Sequence, residues 1–160
     1  RIKRIQENIK RTGISPSTIL QSDGEKLPFD KHHFDTVLID APCSSTGTIQ
    51  KNPDIKWTAS EETLLKHLEL QRQLLDEGAR ILKPGGTLIY STCSLEEEEN
   101  QNQVESFLAR HTGFFIKKRP SDSAFFQVDD WTNEDSSFFQ ILTGPKWGGF
   151  FGAAIYSDHA

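Results

Sequence analysis

Residues 82–100 read LKPGGTLIYSTCSLEEEEN, and this stretch decides how the chain folds. Lys83-Pro84-Gly85-Gly86 stops a preceding helix, because proline cannot continue one and glycine turns the chain cheaply. Thr87 to Ser91 is a short apolar run of strand length, and it leads directly into Thr92-Cys93-Ser94. Ser94 and Glu97 have capping-box spacing, and an acidic run suits a helix N-terminus, so a helix is expected from there through Val104, Phe107 and Leu108 to about Arg110. Upstream, Ser60 to Leu82 is helical: Leu64, Leu68, Leu75, Ala79 and Leu82 form one stripe, widened by Leu65, Leu74 and Ile81. Helix, breaker, strand, thiol and helix follow one another here as one α/β unit.

Working outward, Thr36-Val37-Leu38-Ile39 is a continuous apolar run, read as a buried parallel strand that ends at Asp40. Ser17 to Gln21 reads as a short strand followed by Asp23-Gly24, and residues 25–35 as a polar loop. Ile2, Ile5 and Ile9 have helical spacing and stop at Gly13, a good left-handed cap. Phe114 to Lys117, Phe138 to Leu142 and Phe150 to Tyr156 look like late strands, and residues 119–136 like a surface loop. No internal repeat or low-complexity tract is visible. The alternation implies an α/β fold with a mainly parallel sheet, one domain over residues 1–160. In such sheets ligands sit beyond the carboxyl ends of the strands. Three ends carry reactive groups: Asp23, Asp40 with Cys43, and Cys93.

The bulk numbers set limits. Eighteen Lys and Arg against 23 Asp and Glu give a net charge of -5, without the overall basic footprint of a nucleic-acid binder. The charges are uneven, with five basic groups against one Glu in residues 1–11 and four consecutive Glu at 96–99. No segment approaches the roughly 20 apolar residues of a membrane span. Two cysteines far apart in sequence form neither a disulfide framework nor a metal-ligand pattern, which points to a reducing cytoplasm and no metal.

Asp40-Ala41-Pro42-Cys43-Ser44-Ser45-Thr46-Gly47 can carry a thiol close to a flat ligand, since small residues surround it. Cys93, between a strand and an expected helix, would have its pKa lowered by the helix N-terminus and raised by the four Glu, so the net shift stays open. A buried cysteine serving as a small hydrophobe is the plainer alternative for either residue.

Asp40 to Trp57 (DAPCSSTGTIQKNPDIKW) resembles the proline-cysteine motif of the Sun/Fmu (RsmB-like) family of ribosomal RNA cytosine-5 methyltransferases. Residues 82–100 are similar to that family's second cysteine motif. The resemblance runs from about Arg1 to Phe115. It implies a Rossmann-like class I methyltransferase fold, S-adenosyl-L-methionine as cofactor, and RNA, ribosomal in source, as partner. It assigns Cys93 as the nucleophile that adds to carbon 6 of cytosine, where a thiolate can both attack and leave. It gives Cys43 a part in releasing the methylated product. Asp40 is then expected at the base and the cofactor's reactive end, and Asp23 at its adenine end. Lys51, Lys56 and Trp57 are either RNA contacts or a solvated loop with an anchoring Trp.

The family's glycine-rich cofactor motif and its acidic ribose ligand find no match, and there is no methionine. The expectation is a catalytic domain truncated at the N-terminus, its first two strands missing, inactive alone, with an accessory RNA-binding domain outside it. Gly148-Gly149-Phe150-Phe151 stands where the family usually has Asp-Gly-Phe-Phe. Competing readings are a DNA cytosine-5 methyltransferase, in which Thr92-Cys93-Ser94 has no obvious place, an RNA-binding scaffold without catalysis, and a thiol redox protein.

Overall fold

The computed structural model describes residues 2–15, 18–117, 138–144 and 148–158. The helices are α1 (Ile2–Thr12), α2 (Ile55–Thr58), α3 (Glu61–Ile81) and α4 (Gln101–Arg110). The strands are β1 (Phe34–Asp40), β2 (Leu82–Thr92), β3 (Phe114–Ile116), β4 (Phe139–Ile141) and β5 (Phe150–Ser157). Short 3-10 turns occupy Thr46–Thr48 and Glu97–Glu99. The expected surface loop at 119–136 lies outside the described residues.

The sheet runs β1-β2-β5-β3, with β4 also on β5. The expectation of a mainly parallel sheet is wrong. Among the described residues only β1 and β2 pair in parallel, while β5 is antiparallel to β2, β3 and β4. The reason is insertion. β2 and β3 both run opposite to β5 and therefore in the same direction as each other, as a crossover through α4 requires. β5 lies between them and removes the parallel contact. The connection from β4 to β5 is also shorter than the roughly dozen residues of a parallel crossover.

α3 forms as its pattern demands. Ser60 is the N-cap, its hydroxyl accepting from the Thr63 amide at 3.2 Å, and Glu61 and Glu62 occupy the first turn, where acidic charge suits the helix dipole. Its inner face joins α4 and the sheet in one core around Leu75, Leu88, Tyr90, Val104, Phe107, Phe151 and Ile155. The strand after it begins earlier than expected, at Leu82, and includes Lys83-Pro84-Gly85-Gly86. These residues make a bulge between the pairs Phe34–Leu82 and Thr36–Thr87, with Gly85 in a left-handed conformation at φ 75°. The breaker ends the helix and then kinks a strand.

Other expectations shift. α1 ends before a left-handed Gly13, as read, but buries none of its residues. Thr36 to Ile39 is strand, yet β1 is the sheet's edge among the described residues and Leu38 is 66% exposed. Thr18 to Gln21 join no strand, and Ser17 lies outside the described residues. Among the described residues no helix is long and apolar enough to cross a membrane.

At Gly86 a Cβ would stand 2.8 Å from the Lys83 carbonyl and 2.9 Å from that of Asp35. Both are backbone atoms, so Gly86→Ala must push β1 from β2. The expected loss is about 1–3 kcal/mol, read as a lower urea midpoint; an unchanged midpoint would mean that the strands part freely.

Candidate active site

β1 and β2 end side by side, Asp40 opposite Ser91, and the Ala41 amide continues the ladder by donating to the Ser91 carbonyl at 2.9 Å. Both chains therefore leave at one edge of the sheet. The loops that follow are laced together. The Gly47 amide donates to the Cys93 carbonyl at 3.0 Å, the Leu95 amide to the Thr46 hydroxyl at 2.9 Å, and the Ser94 hydroxyl lies 3.1 Å from that of Ser44. A side chain at Gly47 would put Cβ 2.7 Å from the carbonyl oxygens of Cys93 and Gly149, so glycine is what permits this approach. The lacing brings Cys43 Sγ to 3.4 Å from Cys93 Sγ. Both cysteines are free and half-buried.

The two thiols differ in charge state. The Cys93 thiol is pulled down to about 6, first by the hydrogen bond from Cys43 and also by the Ser45 hydroxyl, 3.3 Å from its sulfur; burial and the Asp40 charge oppose the shift. The Cys43 thiol is pushed well up, first by the same hydrogen bond and then by burial. Both directions favour Cys93 as the thiolate of the pair and Cys43 as its thiol. Ser45 reaches the sulfur because its backbone is left-handed, φ 60° and ψ 21°, a conformation that costs a non-glycine residue of order 1–3 kcal/mol.

The helix dipole plays no part in this. α4 begins only at Gln101, beyond the Glu97–Glu99 turn, and Ser94 makes no capping box. Its hydroxyl accepts from the Glu96 amide at 3.0 Å instead. Buried Asn100 occupies the space of the expected first helical turn: the Thr92 hydroxyl donates to its side chain at 2.5 Å, and its amide donates to the Ser94 carbonyl at 3.0 Å.

Asp40 is exposed at the end of β1. It takes no side-chain hydrogen bond among the described residues, while its charge reaches Cys93. Asp23 is exposed in a turn and accepts from the Glu25 amide at 3.1 Å; it follows no strand, contrary to expectation. Cys43, Cys93 and Asp40 therefore come together, and no contact ties Asp23 to them. Trp57, on α2, is 86% exposed, and Lys51 and Lys56 are exposed beside it, so that Trp anchors nothing.

The sequence reading missed Glu99 and Gln71, both fully buried beneath the Cys43 loop. Gln71 had a signal: it interrupts the inward α3 stripe between Leu68 and Leu75, where a polar residue needs a partner. Nothing in a run of four Glu marks the last as buried. Among the described residues no three His, Cys, Asp or Glu side chains group to hold a metal ion.

A sheet with one parallel pair, helices α3 and α4 packed on it, and two thiols at the carboxyl edge of that pair define a Rossmann-like methyltransferase catalytic region. The chain belongs to the family of 16S rRNA methyltransferases RsmB/F, whose profile matches residues 1–155. It is 42% identical over 112 residues to the ribosomal RNA small subunit methyltransferase B of Shewanella oneidensis, covering 69% of this chain and 26% of that protein. The chain thus spans about a quarter of the length of such relatives. Among solved structures it resembles PH0851, with TM-score 0.82 and 35% identity over 97% of this chain and 34% of that one. It also resembles NSun6 from Pyrococcus horikoshii with SFG, with TM-score 0.79 and 28% identity over 98% and 38%.

If Cys43 and Ser45 hold the Cys93 thiolate, removing either must raise its pKa. The rate of iodoacetamide alkylation of Cys93 against pH should have its midpoint at about 6 in the native chain. It should move up in Ser45→Ala and further in Cys43→Ala. A midpoint that stays in place in Cys43→Ala would rule out the thiol as the main cause.

Proposed function

We propose that the chain carries the reacting cysteines of an enzyme that methylates carbon 5 of a cytosine in ribosomal RNA through a covalent protein–RNA adduct. The observation that carries this reading is the contact of the Cys93 and Cys43 sulfurs, 3.4 Å apart at one edge of the sheet, with the Cys93 thiol pulled down and the Cys43 thiol pushed up. Cytosine carbon 5 is a poor nucleophile until a group adds to carbon 6, and a thiolate is suited to add and to leave. Base stacking hides that edge, so the target nucleotide has to swing out of its stack to meet Cys93.

S-adenosyl-L-methionine is the cofactor of this class of enzyme, and when bound it supplies an electrophilic methyl group. The exposed residues present fit it in part. Asp40 has both carboxylate oxygens open beside Cys93, and Asp23 has one. These two would hold it, Asp40 towards the reacting end.

The chain's own residues then act in a set order. The Cys93 sulfur forms a bond to carbon 6, and the electron pair of the ring double bond moves onto carbon 5, where the methyl group is added. In the adduct Cys93 carries no charge. The first cause that keeps Cys43 protonated, its hydrogen bond to the Cys93 thiolate, is then gone. Cys43 can now give up its proton to solvent water and, as the thiolate, take the one on carbon 5. The electrons of that carbon–hydrogen bond restore the ring double bond, and the bond from carbon 6 to Cys93 breaks. The thiolate returns to its starting state. Each cysteine is thus prepared by the charge state of the other.

In the full-length enzyme the two cysteines should therefore fail differently. Cys93→Ala should abolish methyl transfer and form no adduct. Cys43→Ala should still add and methylate but release slowly, so that a covalent protein–RNA complex builds up on denaturing gels with labelled ribosomal RNA. A stable adduct in Cys93→Ala and none in Cys43→Ala would exchange the roles, and unchanged methyl transfer in both would end the proposal.

A further inference from the structure

Glu99 has no exposed surface, and no step of the chemistry above uses it. Its carboxylate oxygens accept from the Ser44 amide at 2.9 and 3.1 Å, from the Ser44 hydroxyl at 2.5 Å and from the Gln71 side-chain amide at 3.1 Å. Gln71 also donates to the Pro42 carbonyl at 2.9 Å. The residues on both sides of Cys43 are thus gripped from beneath. Glu99 is itself fixed, since the buried Tyr90 hydroxyl donates to its backbone carbonyl at 2.7 Å.

A buried carboxylate without a close cation is expensive to keep before its hydrogen bonds are counted. The nearest ionisable partner, His67 on α3, has its Nδ1 3.6 Å away and makes no hydrogen bond there. A loop that needed only to be covered could be packed by an apolar side chain at less cost. What a carboxylate adds is two directed oxygens, and both point at the Cys43 loop or at the glutamine that holds it. The fold thus keeps a buried charge where it fixes one backbone segment, and that segment carries one of the two sulfurs.

We propose that Glu99 is a positioning residue for the thiol pair: it fixes Pro42 to Ser44 so that the Cys43 sulfur stays within hydrogen-bond reach of Cys93. The inference rests on the reading of these cysteines as the reacting pair. Its consequence is electrostatic. When Ser44 is released the Cys43 sulfur drifts from Cys93, and the Cys93 thiolate loses its main support while Asp40 still opposes it.

The test is the pH profile of iodoacetamide alkylation at Cys93, followed by mass spectrometry on the chain without RNA. Folding is monitored by circular dichroism and urea melts. Glu99→Ala should slow alkylation at pH 6.5 at least tenfold and move the midpoint up. Glu99→Gln, which keeps the volume and one acceptor oxygen, should recover part of the rate. If Glu99→Ala does not fold, Glu99→Gln and Gln71→Ala carry the test, and each should shift the midpoint upward. His67→Gln serves as the background on which the series is repeated, and the shift should persist there. Folded variants with lower stability and the native profile would show a merely structural carboxylate and overturn the proposal, as would a native midpoint at the ordinary thiol value. Because the readout needs no RNA, a low native midpoint together with a full-length Cys43→Ala enzyme that forms no RNA adduct would sink the functional reading and leave the positioning role standing.

Discussion

The parallel ladder between Phe34–Asp40 and Leu82–Thr92 is the constraint on which the site depends. Parallel neighbours end at the same edge of a sheet, whereas antiparallel neighbours end at opposite edges. Cys43 and Cys93 follow the ends of the two strands that share this single parallel pairing, and α3 is the crossover that permits it. The antiparallel strands serve another purpose. β5 covers the far side of β2 from Thr87 to Thr92, so the strand that carries Cys93 is held on both edges up to its last residue. The thiol pair sits where the sheet is parallel, and support comes from where it is not.

The ladder brings the sulfurs together but does not decide which one ionises. Two identical groups in contact would share that fate equally, and the surroundings break the tie. The Ser45 hydroxyl lies near Cys93 Sγ, and the left-handed backbone at Ser45 is the local strain that puts it there. Asp40 pulls the other way, yet an exposed carboxylate is screened by solvent and weighs less than a direct hydrogen bond. The asymmetry is therefore local, built from one hydroxyl and one proline-led loop rather than from a helix dipole.

Much of this was legible in the sequence because it obeys short-range rules. The α3 stripe from Leu64 to Leu82 and the strands Thr36 to Ile39 and Thr87 to Ser91 follow from periodicity and turn chemistry, and they placed Cys43 and Cys93 after strand ends. Long-range pairing was not legible. Nothing in Phe150 to Ser157 says that this strand inserts beside β2 and turns a parallel sheet into a mixed one. Nor does the Leu38 side chain announce that its strand is an edge. The capping-box spacing of Ser94 and Glu97 misled for a physical reason. Asn100 offers the Thr-Cys-Ser turn buried side-chain hydrogen bonds, and these displace the helix start to Gln101. Local signals lost wherever a buried polar side chain offered the backbone a better partner.

Those buried polar residues share one location. Gln71, Thr92, Ser94, Glu99 and Asn100 are buried and hydrogen-bond within the two cysteine loops or to them, with Tyr90 reaching the same turn through its hydroxyl. An apolar filling would stabilise the region as well or better, but apolar contacts have no direction and let a loop slide. Hydrogen bonds fix both distance and angle, and a connected set of them fixes several segments together. A contact between two sulfurs at 3.4 Å fails after a displacement of about 1 Å, the scale at which a loosely supported site loses function. The fold therefore places its directional interactions under the thiols and its apolar ones, Leu75, Val104, Phe107 and Ile155, deeper in the core, where shape alone suffices.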